Sequence, residues 1–418
     1  MAQLTNDCFA GGGPLMRVDA ALALIAEVTS QVTESERVAL MAALGRVLNE
    51  DVVAEIDVPG QDNSAVDGYA VYFDDLDPEG ETPLRVAGRA TAGHPFAGTP
   101  ARGSALRIFT GALMSAGPDT VMMQEDCRLE GETVFLKPGI ERGANRRLCG
   151  EDVTRGSTIL SAGQRLRAQD LGLAAAVGRR ALKVSKPLSV ALFSTGDELV
   201  EPGDALDPGA IYDSNRYTVG ALLAGLGCAV EDLGILPDRR ERVGAALAAA
   251  AARHQLLITS GGVSVGEEDH VKQSVEALGN LHLWRLAIKP GRPIALGQVG
   301  QVPFVGLPGN PVAALVTFVT VVRPLVLRLM GGGESAPHHF QVRADFAHKK
   351  KKDRREWLRV RLLPDGPGAW RAVKFPREGA GILSSLVEAD GLVTLPEDLT
   401  RLEPGTMVDF LPFSEVTA

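Results

Sequence analysis

Acidic side chains recur in this chain where a short apolar run gives way to turn residues. "FSTGDELVEPG" puts Glu198 just past one such run, "LPD" puts Asp238 past a second, and "TSGGVSVGEED" puts Asp269 past a third. Parallel strands would bring these three carboxylates to one edge of a sheet as hard oxygen donors. That chemistry suits Mg2+ shared with phosphate oxygens. Cations stand on neighbouring segments. "LAIKPGRPIALG" holds Lys289 and Arg292 around a Pro-Gly turn, and Arg359 alternates within "EWLRVRL" as an inward-facing anion contact. Ser260, Gly261, Gly262 and Ser264 offer backbone N–H groups and hydroxyls to a phosphate or a ring edge.

Each of these signals has a plainer reading. Asp269 can serve as a capping partner for the helix that follows it. The Ser-Gly-Gly turn can be a tight strand-to-helix connection, and Arg146 and Arg147 in "GANRRLCGEDV" can be exposed loop arginines rather than an anion clamp. "DLDPEGE" imitates the start of a calcium loop but lacks the bidentate Glu at position twelve, so it reads as a surface turn. The basic run "AHKKKKDRREW" reads as a solvated face without ordering partners, and none of the seven histidines receives a role.

The elements that must position these residues follow from periodicity. From residue 188 the rhythm is α/β: "LSVALFS", "AVEDLGI" and "QLLITS" read as strands, with helices between them and from about 267. Alternating strands and helices predict a parallel sheet with ligands at its carboxyl edge. In "GLPGNPVAALVTF" Asn310 is a natural N-cap and Pro311 suits the first helical position. Residues 17–48 show helical spacing twice, at Val18, Leu22, Ile25 and Val28, then at Val38, Met41, Leu44 and Val47, which predicts two helices. Between about 58 and 150 the runs "LRVAG", "ALRIFTG", "TVMMQE" and "ETVFLKPG" predict a small β unit, and the tail after "MGGGES" predicts another.

The expected fold class is therefore multidomain α/β plus β. A helical, linking domain (16–57 and 153–187) carries an inserted small β domain (58–152). A central parallel-sheet α/β domain (188–331) and a C-terminal β domain (335–418) follow.

With 418 residues, 45% of them hydrophobic, the chain is long enough for several cores. A net charge of −9 argues against a general nucleic-acid binder, so basic groups for an anionic substrate must be gathered locally. The four cysteines show no paired spacing, which predicts reduced thiols in a cytoplasmic protein without structural zinc. No signal peptide and no membrane span are expected, and the apolar stretch 311–330, interrupted by Arg323 and Pro324, reads as a buried helix.

Seven motifs in collinear order, "DNSAVDGYAV", "RIFTGA", "FSTGDEL", "YDSNRY", "TSGGVSVGEED", "AIKPGRP" and "GLPGNP", resemble those of the MoeA family. These are molybdopterin molybdenumtransferases related to the E domain of eukaryotic gephyrin, and the resemblance runs from about residue 17 to the C-terminus. It implies a central domain with the molybdopterin-binding fold. It also implies insertion of molybdate into adenylylated molybdopterin, with Mg2+ dependence and release of AMP. It further implies a homodimer whose cleft lies between the α/β domain of one subunit and the β domain of the other, with a molybdopterin adenylyltransferase as a possible partner.

The resemblance nominates Asp67 and Thr110 from the small β domain, Glu198, Asp238 and Asp269 as the acidic set, and Arg147 and Lys289 as basic partners. Arg292 and Pro293 match a loop that resembles a molybdate-binding stretch. Arg285 and Arg292 stand where Lys is common, which exchanges a point charge for a planar fork. Ala380 stands where some relatives carry serine, so an oxyanion contact there would fall to Ser384, Ser385 or Arg359. A molybdopterin adenylyltransferase and a gephyrin-like binding scaffold are the alternative functions.

Overall fold

The computed structural model describes residues 15–261, 270–291, 293–333 and 336–417. Its centre is a six-stranded sheet with order Ala229–Leu236, Ser189–Thr195, Leu256–Ser260, Val302–Leu307, Pro293–Val299, Gly279–Arg285. The first four strands are mutually parallel. Pro293–Val299 runs antiparallel to both of its neighbours, so the expected parallel sheet is a mixed one. A hairpin closing on Val302–Leu307 needs no crossover helix, and sequence rhythm alone did not reveal it.

Strand Ser189–Thr195 shows why this sheet is central. Val190 and Leu192 join one core with Val219 and Leu223 of the helix Asn215–Gly225. Ala191 and Phe193 join the opposite core with Val243, Leu247, Val271 and Val275. Side chains alternate across a strand, and a strand with apolar cover on both faces must be apolar at every position. The stretch 311–329 runs as a helix with a π-helical turn at Phe318–Val322, and 83% of its apolar window is buried. It is a core helix, as its sequence suggested.

The first helix forms at Val18–Val28, but the second expected helix does not. Residues Ser35–Ala39 are a strand paired with Ala181–Ser185, followed by a short 3-10 turn. Met41 and Leu44, half of the supposed apolar face, are exposed. Pairing with a strand some 140 residues away overrode the local helical spacing.

Near Val58 and Val153 the chain leaves and re-enters this linking region, where the two residues form a β-bridge. Between them lies a second six-stranded sheet, containing Gly68–Val71 and Ser104–Ile108. Toward the C-terminus, Phe340–Ala344, Arg355–Pro364, Trp370–Lys374, Gly391–Leu395 and Met407–Pro412 close into a ring, since Arg355–Pro364 also pairs with Gly391–Leu395. The two-residue strand Ile288–Lys289 leaves the central unit and pairs in parallel with Arg355 and Glu356 of that ring.

Candidate functional site

A cavity of about 760 Å³ opens between the carboxyl ends of the central parallel strands and the C-terminal ring. Glu198, Asp238, Gly261, Lys289, Pro293 and Arg359 all line it, so six of the residues singled out by sequence meet in one place. Two acids arrive from the ends of Ser189–Thr195 and Ala229–Leu236, as the strand-end argument required. Residues 262–269, including Gly262, Ser264 and Asp269, and residue Arg292 lie outside the described residues.

Glu198 is set by two devices. Gly196 has φ +147, a backbone conformation that favours glycine, and a Cβ there would also press on the Glu198 carboxylate at 2.5 Å, where the acid folds back. The loop beyond is tied down by Ile211 N–H donating to the Glu198 carbonyl at 2.7 Å and by Arg216. That guanidinium is buried and pairs with Asp213, Glu201 and Asp232. Burial works against its charge, but the three carboxylates hold its pKa above the ordinary value.

Ser260 ends its strand facing Asn215, whose Nδ2 donates to Ser260 Oγ at 2.9 Å and to the Gly309 carbonyl at 2.7 Å. Asn215 thereby joins two turns of the cavity wall. At Gly261, φ is +87 and a Cβ would lie 2.8 Å from the Thr195 carbonyl, which explains the glycine after the strand.

The floor of the cavity belongs to the C-terminal ring, and sequence reasoning missed most of it. Glu356 is 1% exposed. Its Oε2 accepts from Lys289 Nζ at 3.4 Å and lies 3.0 Å from His348 Nε2, while Arg354 is 3.7 Å from Oε1. Burial pulls this carboxyl upward, yet the His348 hydrogen bond and the Lys289 charge hold it below its ordinary value. Arg359 donates to the carbonyls of Gly379 and Arg377, and burial lowers its pKa. Lys350, assigned to a solvated face, is instead buried and donates to the carbonyls of Arg354, Glu397 and Lys351. The signal that could have found this floor was an acid, Glu356, at the junction of a basic run and an alternating apolar strand.

Other sequence-predicted residues lie elsewhere. Arg285 is exposed at the end of its strand and does not line the cavity. Ser384 is exposed on a short helix, and buried Ser385 spends its hydroxyl on the Ile382 carbonyl. Ala380 lines the cavity, with its carbonyl accepting from Val312 N–H at 2.9 Å. Asn310 occupies the N-cap position before Pro311, although its side chain does not cap.

Asp67 and Thr110 meet on the inserted β unit, outside the cavity, and Arg147 lies on the same unit. Thr110 donates to Asp67 Oδ1 from both its N–H and its hydroxyl, each at 2.8 Å. These two bonds hold the Asp67 carboxyl below its usual range. Arg147 pairs in register with Asn63. Among the described residues no three His, Cys, Asp or Glu side chains cluster closely enough to hold a metal alone. Cys127, Cys149 and Cys228 are free thiols, and burial pushes Cys127 and Cys228 up to about 12.

Fold and cavity define a multidomain α/β protein whose carboxylates and cations converge at the carboxyl edge of a sheet, a site class built for anionic ligands. The chain belongs to the MoeA family. Residues 16–178 match the MoeA N-terminal region (domain I and II), residues 191–328 a "Probable molybdopterin binding domain", and residues 341–413 the MoeA C-terminal region (domain IV). It is 39% identical over 404 residues to the molybdopterin molybdenumtransferase of Haemophilus influenzae, covering 96% of this chain and 100% of that protein. With the namesake from Nostoc sp. the identity is 36%, over 91% and 89% of the two chains. The crystal structure of a molybdopterin biosynthesis moeA protein from Pyrococcus horikoshii matches with TM-score 0.81 at 27% identity, covering 96% of this chain and 100% of that one.

Proposed function

We propose that this protein is a molybdopterin molybdenumtransferase, which inserts molybdate into adenylylated molybdopterin and releases AMP. The observation that carries this reading is the meeting of Glu198 and Asp238 with Lys289 and Arg359 in one cavity. Lys289 and Arg359 bind and orient the tetrahedral oxyanion substrate, and the glycine-lined strand ends receive the phosphate-bearing pterin. Two carboxylates and no soft ligand fit Mg2+, which keeps most of its waters and shares phosphate oxygens. Glu198 and Asp238 would hold it, with Asp269 as a third candidate. When bound, Mg2+ would neutralise charge on the pyrophosphate linkage. Catalysis then rests on positioning and electrostatics rather than on a protein nucleophile.

Asp67, Thr110 and Arg147 complete the site from a second copy of the chain, in a homodimer. This accounts for a hydrogen-bonded Asp67–Thr110 pair that lies outside the cavity of its own chain. Purified protein given adenylylated molybdopterin, molybdate and Mg2+ is expected to release AMP and form molybdenum-molybdopterin. Glu198→Ala and Asp238→Ala should slow this by about a hundredfold or more while keeping a wild-type melt. Wild-type rates in both variants would remove the carboxylates from the mechanism. Adenylylation of metal-free molybdopterin from ATP would instead indicate an adenylyltransferase.

A further inference from the structure

Lys289 is an unusual cation for an anion site, because a buried carboxylate already stands against it. Glu356 faces Lys289 as its register partner across the two-residue pairing of Ile288–Lys289 with Arg355 and Glu356. That pairing is closed by Arg355 N–H donating to the Ala287 carbonyl at 2.8 Å. The partners are unequal: the Lys289 side chain is 46% exposed to the cavity and Glu356 is 1% exposed. A staple between two packed units would bury both ends, whereas here the ammonium is left open to solvent and ligand.

The carboxylate is itself fixed. Buried His348 holds Oε2 from behind, and its other nitrogen, Nδ1, lies 3.8 Å from Glu378, which Lys374 pairs at 2.8 Å. Glu356 Oε1 has no hydrogen bond of its own, so its fixed bonds all run through the oxygen that meets Lys289. Lys350 pins the intervening turn through the Arg354 and Glu397 carbonyls. A buried charge is retained only where neighbours compensate it; here His348 and Lys289 do so at Oε2 and Arg354 near Oε1, and among these Lys289 is the most exposed.

We propose that Glu356, backed by His348, is a positioning residue that fixes the Lys289 ammonium at the cavity floor for contact with the substrate oxyanion. The inference rests on the functional reading above, in which Lys289 meets molybdate. Glu356 acts through Lys289, and it also limits how strongly the site holds an anion in the ground state.

The test is a double-mutant cycle on the full-length protein, read by single-turnover, molybdate-dependent AMP release from adenylylated molybdopterin. Glu356→Gln should lower the maximal rate about tenfold, the scale of a charge-assisted hydrogen bond, without raising the molybdate KM. In a Lys289→Met background the same substitution should change the rate by less than about twofold. Glu356→Asp, which keeps the charge but withdraws it by one methylene, enters the same cycle and should show the same loss of effect. Losses that multiply in the double variants would overturn the proposal, as would a wild-type rate in Glu356→Gln. Failure of both Glu356 variants to fold, with Lys289→Met folded, would assign Glu356 to the fold and also overturn it. No molybdate-dependent AMP release from the wild type would sink the functional reading and this inference together. A competent wild type with multiplying losses sinks this inference alone.

Discussion

At the residue scale, the hydrogen bonds around a carboxylate decide when it carries charge. Asp67 accepts two bonds from Thr110, and both favour its ionised form. Removing the hydroxyl in Thr110→Val leaves one bond, so the Asp67 pKa should rise from its depressed value toward the ordinary one. If ionised Asp67 is needed for turnover, the acid limb of the pH–rate profile should move to higher pH. At neutral pH the loss should stay within about tenfold, the worth of one such bond. An unmoved acid limb, measured by AMP release from pH 4 to 8, would detach Asp67 from the rate. Asp170 is a residue of the other kind, with no site nearby. Its carboxylate accepts from Arg167 N–H at 2.8 Å at the start of the helix Ala168–Ala176. Burial raises its pKa, but its bonds to Arg167 lower it further, for a net depression. A depressed carboxyl contributes stability that is present above its unfolded pKa and lost as pH falls through the folded value. Asp170→Ala should therefore cost about 1 kcal/mol at pH 7 and less near pH 3, in denaturant melts, with activity per folded molecule unchanged.

At the element scale, strand ends deliver the acids and their loops need anchors of their own. Arg216 anchors the loop that carries Glu198 by pairing with three carboxylates, of which Asp213 is 2% exposed. Arg216→Lys keeps the charge and loses the planar fork that serves three partners at once. We expect a loss of stability of roughly 3 kcal/mol and a parallel fall in AMP release, because a lysine cannot serve all three carboxylates and leaves buried Asp213 short of its hydrogen-bonded partner. Unchanged melting with unchanged rate would show the loop to be held by its backbone alone. What was legible in the sequence divides along the same line. Strands buried on both faces, such as "LSVALFS", and acids just beyond them were readable because local pattern fixes both. Lys350, His348 and Glu356 were not, because their environment is made by pairing 288–289 with 355–356 and 348–349 with 401–402. In one dimension they merge into a basic run that resembles a solvated face. The false helix at 38–47 fails for the same reason, since its strand partner lies in a distant segment.

At the scale of the whole molecule, one chain carries two groups of polar residues that do not meet. The large cavity collects Glu198, Asp238, Lys289 and Arg359, while Asp67 and Thr110 sit on the inserted β unit, outside that cavity. In a twofold dimer each cleft would take its acids and cations from one subunit and Asp67 from the other, because an isologous interface repeats every contact twice. This arrangement has a consequence that single variants cannot reveal. Homodimers of Glu198→Ala and of Asp67→Ala should each be inactive, since every cleft lacks one group. When the two chains are co-expressed, mixed dimers carry one cleft missing both groups and one cleft missing neither. Random pairing makes about half of the dimers mixed, each with one intact cleft of two, so about a quarter of wild-type activity should return. Differently tagged chains purified through both tags should reach about one half. If both residues served a cleft within a single subunit, no pairing could restore activity, and mixtures at the level of the parent variants would rule out the shared site.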